Sequence, residues 1–157
     1  MASSQALQAA LSTVGIKTML KGYPSGSYYA TFAGSPSYVH SHGLGLAAGG
    51  WGADWPGAYG WAWGLFDSAA IVPSGNANIS ELNDLQVNRW LASLEQATLS
   101  ASARDAIGAE IDMKVMKDAV MLPAVYSKVL LYRSPSLTNV YVQPYYGMYD
   151  YAVFGTR

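Results

Sequence analysis

Residues 43–66 are the most apolar stretch of the chain, and they constrain the fold more than any other segment. Their sequence, GLGLAAGGWGADWPGAYGWAWGLF, contains eight glycines, one proline and a single charged residue, Asp54. A membrane-spanning helix needs about 20 consecutive, predominantly apolar residues, and the glycines, Pro56 and the central Asp54 argue against one. We therefore expect the stretch to belong to a soluble domain rather than to a membrane span.

The composition indicates more apolar surface than a domain of this size hides by itself. Of the 157 residues, 51% are hydrophobic and only 12% are charged, whereas charged residues make up about a quarter of an average soluble domain. The length alone fits one domain. We expect a partner, a ligand or a missing part of the chain to cover some of the apolar surface.

The charged and reactive residues exclude several function classes. The net charge is -1 and no run of basic residues occurs, so nothing indicates nucleic-acid binding. The absence of cysteine excludes disulfides and thiolate catalysis. His40 and His42 form the best metal candidate, but no acidic cluster accompanies them, and we predict no metal and no cofactor. No catalytic residue is predicted, because the spacing of Asp54, Asp67 and Asp150 selects no carboxylate pair.

The pattern of apolar residues predicts an α/β chain in which helices and strands alternate. Helices are predicted from Ser3 or Ser4 to Gly15, over 27–32, from Pro56 to Leu65, after Asn83 or Asp84, and after Ser102. Strands are predicted over 16–23, 43–51 and 120–134, with two further extended runs at 138–144 and 149–155. Because the chain starts with a helix that leads into a strand, we expect the beginning of the domain to be missing.

Asp54 is the main candidate for ligand binding because it is a lone carboxylate among aromatic residues and glycines. Trp51 and Trp55 flank it and supply flat apolar walls, while Gly50 and Gly52 let a ligand backbone come close. Removing water from a carboxylate is costly unless a cation replaces that water. The pattern therefore favours an ammonium group, to which the aromatic faces add cation–π attraction. A structural role is the alternative, in which Asp54 caps the helix that begins near Pro56.

Four segments, taken in order, resemble the carboxy-terminal part of the peptide-binding proteins of bacterial ABC importers, the dipeptide and oligopeptide branch of the extracellular solute-binding family. QALQAALSTVGIKTML is similar to a helix-then-strand step, and LAAGGWGADWP to an apolar strand followed by a Trp-x-x-Asp element. SGNANISELNDLQVNRWLASL is similar to a loop and helix, and ARDAIGAEIDMKVMKDAVMLPAVYSKVLLYR to a late helix that leads into a Pro-x-x-Tyr strand.

The resemblance implies an α/β, periplasmic-binding-protein-like lobe, a mixed sheet with flanking helices, as an incomplete fragment of a two-lobed fold. Residues 1–157 would form a single domain, mostly the second lobe, and the final strands, about 120–157, would return toward the missing first lobe. The family aspartate that binds the α-amino group of the peptide falls on Asp54, with Trp51 beside it and Trp55 next in the chain. Tyr28 or Tyr29 is expected to approach the cleft.

The function implied by the resemblance is that of a non-enzymatic binding protein, which captures peptides in an interlobe cleft and delivers them to an ABC permease. Its partners would be the peptide, the permease and the first lobe, and nucleic acid is not among them. Its location would be extracytoplasmic, either periplasmic or as a cell-surface lipoprotein. The family's signal peptide and lipid-bearing cysteine have no counterpart in this sequence.

Three alternatives remain open from the sequence. Tryptophan faces also stack on sugars, so an oligosaccharide or another small solute on the same fold is the first alternative. A small hydrolase that uses Asp54 would belong to a different class, and the absence of a histidine–nucleophile arrangement argues against it. A self-associating structural module without a ligand is the third alternative, with dimers or larger oligomers formed through an exposed apolar face.

Overall fold

The computed structural model describes residues 2–157 and is mainly helical. Within these residues the α-helices are α1 (Ala2–Thr13), α2 (Pro36–Ser41), α3 (Ala58–Phe66), α4 (Leu85–Leu94) and α5 (Ala101–Lys117). A π-helical turn covers Tyr28–Phe32, and 3-10 turns cover Ser25–Ser27, Ser68–Ala70 and Tyr151–Val153. The strands are β1 (Leu137–Thr138), β2 (Val142–Gln143), β3 (Met148–Tyr149) and β4 (Gly155–Thr156).

The strands of the described chain pair only with each other, in two short antiparallel ladders. Strand β1 pairs with β4, so that Leu137 lies opposite Thr156. Strand β2 pairs with β3 as a hairpin, so that Val142 lies opposite Tyr149. The helices within residues 2–157 lack the combination of length and apolar character that crossing a bilayer requires.

The described chain divides into two compact units. The first unit comprises Met1–Trp51 and Gly64–Asn88, and the second comprises Gly52–Trp63 and Arg89–Arg157. The division falls within two helices: α3 belongs to the second unit up to Trp63 and to the first unit from Gly64, and α4 belongs to the first unit up to Asn88 and to the second unit from Arg89. Whether the chain behaves as a single domain whose final residues return toward another lobe stays a prediction.

The core of the first unit is built around buried polar residues as well as apolar ones. Ala33, Phe66 and Val87 are almost fully buried, and so are Asn76 and Asn78. An unpaired buried polar group costs about 1–3 kcal/mol, so most donors and acceptors of buried amides find partners. Oδ1 of Asn76 has none within the described residues. The partners of these asparagines therefore show which backbone segments the core holds together.

Asn78 uses both ends of its amide to hold the loop that joins α3 to α4. Its Nδ2 donates to the carbonyl oxygens of Asp67, at 3.1 Å, and Leu82, at 3.0 Å. Its Oδ1 accepts from the Leu82 amide and the Ser80 hydroxyl, each at 3.0 Å. One side chain thus fixes the end of α3 against a loop whose only regular structure is the 3-10 turn at Ser68–Ala70.

The same loop anchors the π-helical turn at Tyr28–Phe32. The Ser74 hydroxyl donates to the Ala30 carbonyl at 2.7 Å, and the Gly75 amide donates to the Tyr29 carbonyl at 3.2 Å. The Asn76 amide donates to the Gly34 carbonyl at 2.9 Å. These bonds satisfy carbonyl groups that a short helix leaves open at its carboxyl end, and they set the position of the tyrosines on that turn.

The second unit packs α5 against α3 and α4. Ala62, Leu91, Leu94, Ile111 and Val115 are its most buried side chains. Their spacing places them on one face of each helix, as the apolar pattern predicts for α4 and α5.

Close packing and one arginine fix α5 in the second unit. A Cβ added to Gly108 would lie 2.6 Å from the Cβ of Ala58, so α5 and the start of α3 touch where this glycine lies. The Arg104 guanidinium donates to the carbonyl oxygens of Leu94 and Gln96. Those carbonyls lie at and just beyond the end of α4, where helices need external donors.

The predicted helices are confirmed, with shifts at their ends. Helix α3 begins at Ala58 rather than at Pro56. Asp84, one of the two predicted caps, accepts from the amides of Gln86 and Val87 at 2.8 and 2.9 Å. Helix α5 is capped by Ser100, which accepts from the Ala103 amide at 3.2 Å, and not by Ser102.

The strands predicted over 16–23, 43–51 and 120–134 are wrong as regular elements. Within residues 2–157 these segments form no ladder with any other segment. Alternation of apolar and polar residues predicts which faces a strand would show, but a strand exists only when a neighbour supplies its hydrogen bonds. The extended runs predicted in the tail are confirmed in part, since the first contains β2 and the second overlaps β3 and β4 by one residue each.

Replacing Asn78 by alanine tests the role of the buried amide in the first unit. The change removes four hydrogen bonds and leaves part-buried backbone groups of Leu82 and Asp67 without these partners. We expect the free energy of unfolding, measured by urea denaturation, to fall by about 2–4 kcal/mol. Asn83→Ala is the matched control, because Asn83 is an exposed residue of the same loop, and its effect should stay within about 0.5 kcal/mol. Equal losses in both variants would contradict this account.

Candidate functional site

The first unit contains an open cavity lined by tyrosine rings and glycine backbone. Its volume is about 400 Å³, and it is lined by Tyr23, Ser25, Tyr28, Tyr29, Ala48, Gly49 and Gly50. Tyr28 and Gly50, two of the residues predicted from the sequence, therefore lie together. The volume falls within the range of about 300–1,000 Å³ that small-molecule pockets occupy.

The Tyr29 hydroxyl joins the two walls of this cavity. It accepts from the Gly50 amide at 3.1 Å and lies 3.4 Å from the Gly50 carbonyl oxygen, to which it donates. Gly49 lies close to the same hydroxyl, since a Cβ there would lie 3.4 Å from it and 3.3 Å from Cδ1 of Ile79. A side chain at Gly49 would therefore require the end of the Ile79 side chain to shift by a few tenths of an ångström.

The environment of Tyr28 disfavours negative charge. Burial raises the pKa of the Tyr28 phenol above its usual value of 10.0, and the neighbouring Tyr29 raises that pKa further. A hydrogen bond with the Ala48 backbone lowers the pKa of Tyr28 but does not cancel the other two causes. The phenol therefore stays neutral at physiological pH and presents its ring and hydroxyl as uncharged groups.

An aromatic cluster lies behind Tyr23 and fixes its ring. Tyr23 stacks on Phe32 with ring centroids 4.4 Å apart, and Tyr38 meets both rings edge to face at 5.9 and 5.1 Å. His42 in turn stacks on Tyr38 at 3.8 Å. Aromatic pairs in these geometries are worth about 0.5–1.5 kcal/mol beyond the area they bury, so the cavity wall is a packed layer.

Trp51 lies in the first unit and packs against α3. A Cβ added to Gly64 would lie 2.9 Å from Cζ2 of Trp51, so the indole occupies the space that a side chain at this position would take. The Trp51 side chain remains 39% exposed.

The second unit holds Asp54 and Trp55 by their main chain. The Tyr146 hydroxyl donates to the Asp54 carbonyl at 3.0 Å, and the Tyr145 hydroxyl donates to the Trp55 carbonyl at 2.8 Å. Both tyrosines lie in the turn between β2 and β3, where Gln143 Oε1 accepts from their amides at 2.6 and 2.9 Å. The hairpin therefore fixes the backbone of the predicted anchor.

Helix α3 completes this support. The Asp54 amide donates to the Gly60 carbonyl at 3.0 Å. A Cβ at Gly60 would lie 2.3 Å from the Trp55 carbonyl oxygen and 2.8 Å from Cδ1 of its ring, so the segment rests directly on the helix backbone.

The Asp54 carboxylate is exposed, and within residues 2–157 it forms no ion pair or hydrogen bond. It is therefore free to accept a cation and is not neutralised by a lysine or arginine of the described chain. The second unit does not by itself provide the water-poor surroundings that the sequence analysis expected around Asp54. Gly52 is also exposed, and a Cβ there would meet no atom within 4 Å.

The structure thus places the predicted residues in two separate groups. Tyr28, Gly50 and Trp51 belong to the first unit, whereas Gly52, Asp54 and Trp55 belong to the second. Tyr23 and Ser25 are not predicted from the sequence. The tail tyrosines, which include Tyr145 and Tyr146, are predicted chiefly as strand and interface residues, with one or two of them in a cleft. A signal for Tyr145 and Tyr146 exists in the turn sequence Gln-Pro-Tyr-Tyr-Gly at 143–147, which fixes where adjacent tyrosines project.

The histidine pair does not form a metal site in the described chain. His40 lies in α2, and its Nε2 is 3.0 Å from Oε1 of Glu81, while His42 follows the helix and contacts the Tyr38 carbonyl at 3.0 Å. Among residues 2–157, no group of three or more His, Cys, Asp or Glu side chains lies close enough to hold a metal ion.

A comparison with solved structures finds a neighbour that matches almost the whole chain. It is described as "Clavulanic acid biosynthesis oligopeptide binding protein 2", with a TM-score of 0.90 and 38% sequence identity. The match covers 98% of this chain and 28% of the neighbour, so the chain spans little more than a quarter of that protein's length. No protein-family model and no curated protein matches the chain.

This likeness confirms the fold class that the sequence predicts. The chain has the fold of part of an α/β, periplasmic-binding-protein-like protein, in which helices surround small sheets. Because 98% of the chain is matched, the match includes most of residues 16–23, 43–51 and 120–134, which form no β-ladder in the described chain.

Gly60→Ala tests whether α3 supports the Asp54–Trp55 segment. The new methyl group would collide with the Trp55 backbone, which must then shift. We expect the free energy of unfolding to fall by about 1–3 kcal/mol, with a change in tryptophan fluorescence in the folded state. Gly52→Ala adds the same methyl group in open space and should change the stability by no more than about 0.5 kcal/mol. Unchanged stability and emission in Gly60→Ala would show that the segment is not held in this way.

Proposed function

We propose that this chain is part of a non-enzymatic protein that binds peptides. The observation that carries the proposal is the match over 98% of the chain, at 38% identity, to a protein described as oligopeptide binding. At this level of identity, local features of the matched segment are comparable as well as the fold. The sequence resemblance to the peptide-binding branch of the solute-binding proteins supports the same conclusion independently.

We further propose that the whole protein serves an ABC importer outside the cytoplasm. Its ligand would bind in a cleft between two lobes, and its partners would be the peptide, the permease and the lobe that the chain does not contain. The four ordered segments that resemble the importer family support this role. The share of the neighbour that is matched, 28%, agrees with a chain that carries only one part of such a cleft.

Within this proposal, Asp54 receives the α-amino group of the peptide. Its carboxylate is exposed and has no partner in the described chain, and its backbone is held by Tyr145 and Tyr146. An exposed ion pair contributes only about 0.2–1 kcal/mol. We therefore infer that a closed cleft must remove water from Asp54 before the anchor contributes fully.

The remaining predicted residues would contact the rest of the ligand. Trp51 and Trp55 would flank the anchored terminus with their exposed ring surfaces. Gly50 and Gly52 would leave room for the peptide backbone, since a side chain at either position would otherwise project into open space. Tyr28 would line a pocket for a ligand side chain.

The anchor role is tested by combining a protein change with a peptide change. Asp54→Asn and acetylation of the peptide amino terminus remove opposite halves of the same ion pair. In the full-length gene product that carries this chain, we expect each change to weaken binding by about 2–5 kcal/mol. The two changes together should cost little more than either one, because the interaction is lost only once. Isothermal titration calorimetry with a short peptide and its acetylated form measures all four affinities.

Asp112→Asn is the matched control, because Asp112 is an exposed carboxylate on α5. It should leave the affinity for both peptides unchanged. If Asp54→Asn and acetylation instead weaken binding additively, the two groups do not contact each other. If no member of a mixed library of short peptides binds, the peptide-binding function itself is wrong.

Self-association is a second candidate function, and residues 120–134 favour it. Their apolar side chains are among the most exposed in the described chain, as shown by Val125 at 85%, Leu130 at 97% and Tyr126 at 102% exposure. A run of this kind offers both apolar side chains and unpaired backbone groups to a second chain.

Light scattering coupled to size-exclusion chromatography tests self-association of the 157-residue chain. If residues 120–134 mediate it, the parent chain forms dimers or larger species, and the double variant Val125→Ser/Leu130→Ser shifts toward the monomer. Met113→Ser, a change at an exposed apolar residue of α5, should leave the distribution as it is. A parent chain that stays monomeric at all concentrations removes this candidate.

A further inference from the structure

The residues that line the tyrosine-lined cavity of the first unit are the feature from which a ligand preference can be inferred. We propose that it is a specificity pocket for an uncharged aromatic side chain of the bound peptide, an inference that rests on the proposed peptide-binding function. The pocket is defined by Tyr23, Ser25, Tyr28, Tyr29, Ala48, Gly49 and Gly50, and none of these residues is charged.

The walls of the pocket are suited to a flat ring. Tyr23 is held by stacking on Phe32 at 4.4 Å, and Tyr28 meets Tyr29 edge to face with centroids 5.2 Å apart. The Tyr29 ring is in turn fixed by its hydroxyl at Gly50. A ring that enters meets other rings that are already oriented, and aromatic pairs are favourable at centroid distances of about 4.5–7 Å. Little side-chain entropy remains to be lost by the walls.

The lining disfavours a charged side chain of either sign. A carboxylate would lose water without finding a cation among the lining residues. The raised pKa of Tyr28 shows that its surroundings already work against a negative charge. An ammonium group would find ring faces but no carboxylate among the lining residues, so it would lose more hydration than cation–π attraction restores.

The size of the pocket and its glycine wall agree with a side chain that enters from an extended backbone. The cavity is open to solvent and holds about 400 Å³, which leaves room for a ring and some water. A side chain at Gly50 would meet nothing within 4 Å, so the space in front of this backbone is free. Peptide segments commonly bind extended, with main-chain contacts for affinity and side-chain pockets for specificity.

The test is a positional scan by isothermal titration calorimetry on the full-length gene product. The probes are alanine-based peptides with a free amino terminus, in which Phe, Asp or Lys replaces alanine at each position in turn. We expect one position at which Phe binds about tenfold or more tightly than alanine. At that position, Asp and Lys should bind more weakly than alanine.

Two kinds of variant connect this preference to the pocket. Tyr28→Phe keeps the ring and should retain the preference for Phe, whereas Tyr28→Ser removes the ring and should reduce the preference several-fold. Ala48→Phe places a ring at an exposed position of the lining and should bring the ratio of the Phe and alanine affinities close to one. Because Ala48 is exposed, this variant also serves if Tyr28→Ser does not fold.

The outcomes separate this inference from the proposed function. If peptides bind and acetylation weakens them, but no position prefers Phe or the preferred side chain is charged, the pocket assignment is wrong and peptide binding stands. A Phe preference that survives both Tyr28→Ser and Ala48→Phe also overturns the assignment. If no peptide binds, both proposals are wrong.

Discussion

The buried amide of Asn78 is the interaction on which the first unit depends. Apart from the 3-10 turn at Ser68–Ala70, the loop between α3 and α4 has no regular structure, so its backbone groups need partners from elsewhere. Asn78 supplies partners at the centre of the loop, and Ser74 and Gly75 bond the loop to the π-helical turn. The tyrosines that line the cavity are placed by this chain of hydrogen bonds. A binding surface that is organised by buried polar contacts is rigid, because each contact has a defined direction.

The two units present candidate binding groups of different physical character. In the first unit, neutral rings and glycine backbone line a cavity, and burial raises the pKa of one of its phenols, Tyr28, which stays uncharged. In the second unit, a single carboxylate, Asp54, lies exposed on a backbone segment that is held from both sides.

The sequence predicts the helices well because their signals are local. The spacing of Val87, Leu91 and Leu94 and the cap at Asp84 suffice to place α4, and the buried positions Ile111 and Val115 follow from the same periodicity. The strands are predicted poorly, since the pairing partner of a strand is not encoded in the strand itself. The candidate site lies between these cases. Composition and motif select Asp54 and Trp51 as candidates, and the resemblance adds Tyr28, but no local pattern shows that Tyr23 shares a cavity with Gly50, because tertiary packing brings them together.

The hairpin that carries Tyr145 and Tyr146 lies far along the chain from the backbone it holds. The two hydrogen bonds join residues that are 90 and 92 positions apart. During synthesis the segment at 54–55 therefore emerges about 90 residues before its support. A change that removed the hairpin would leave Asp54 in place in the sequence but without the hydrogen bonds that orient its backbone. The orientation of the Asp54 backbone is thus completed only after the hairpin has left the ribosome.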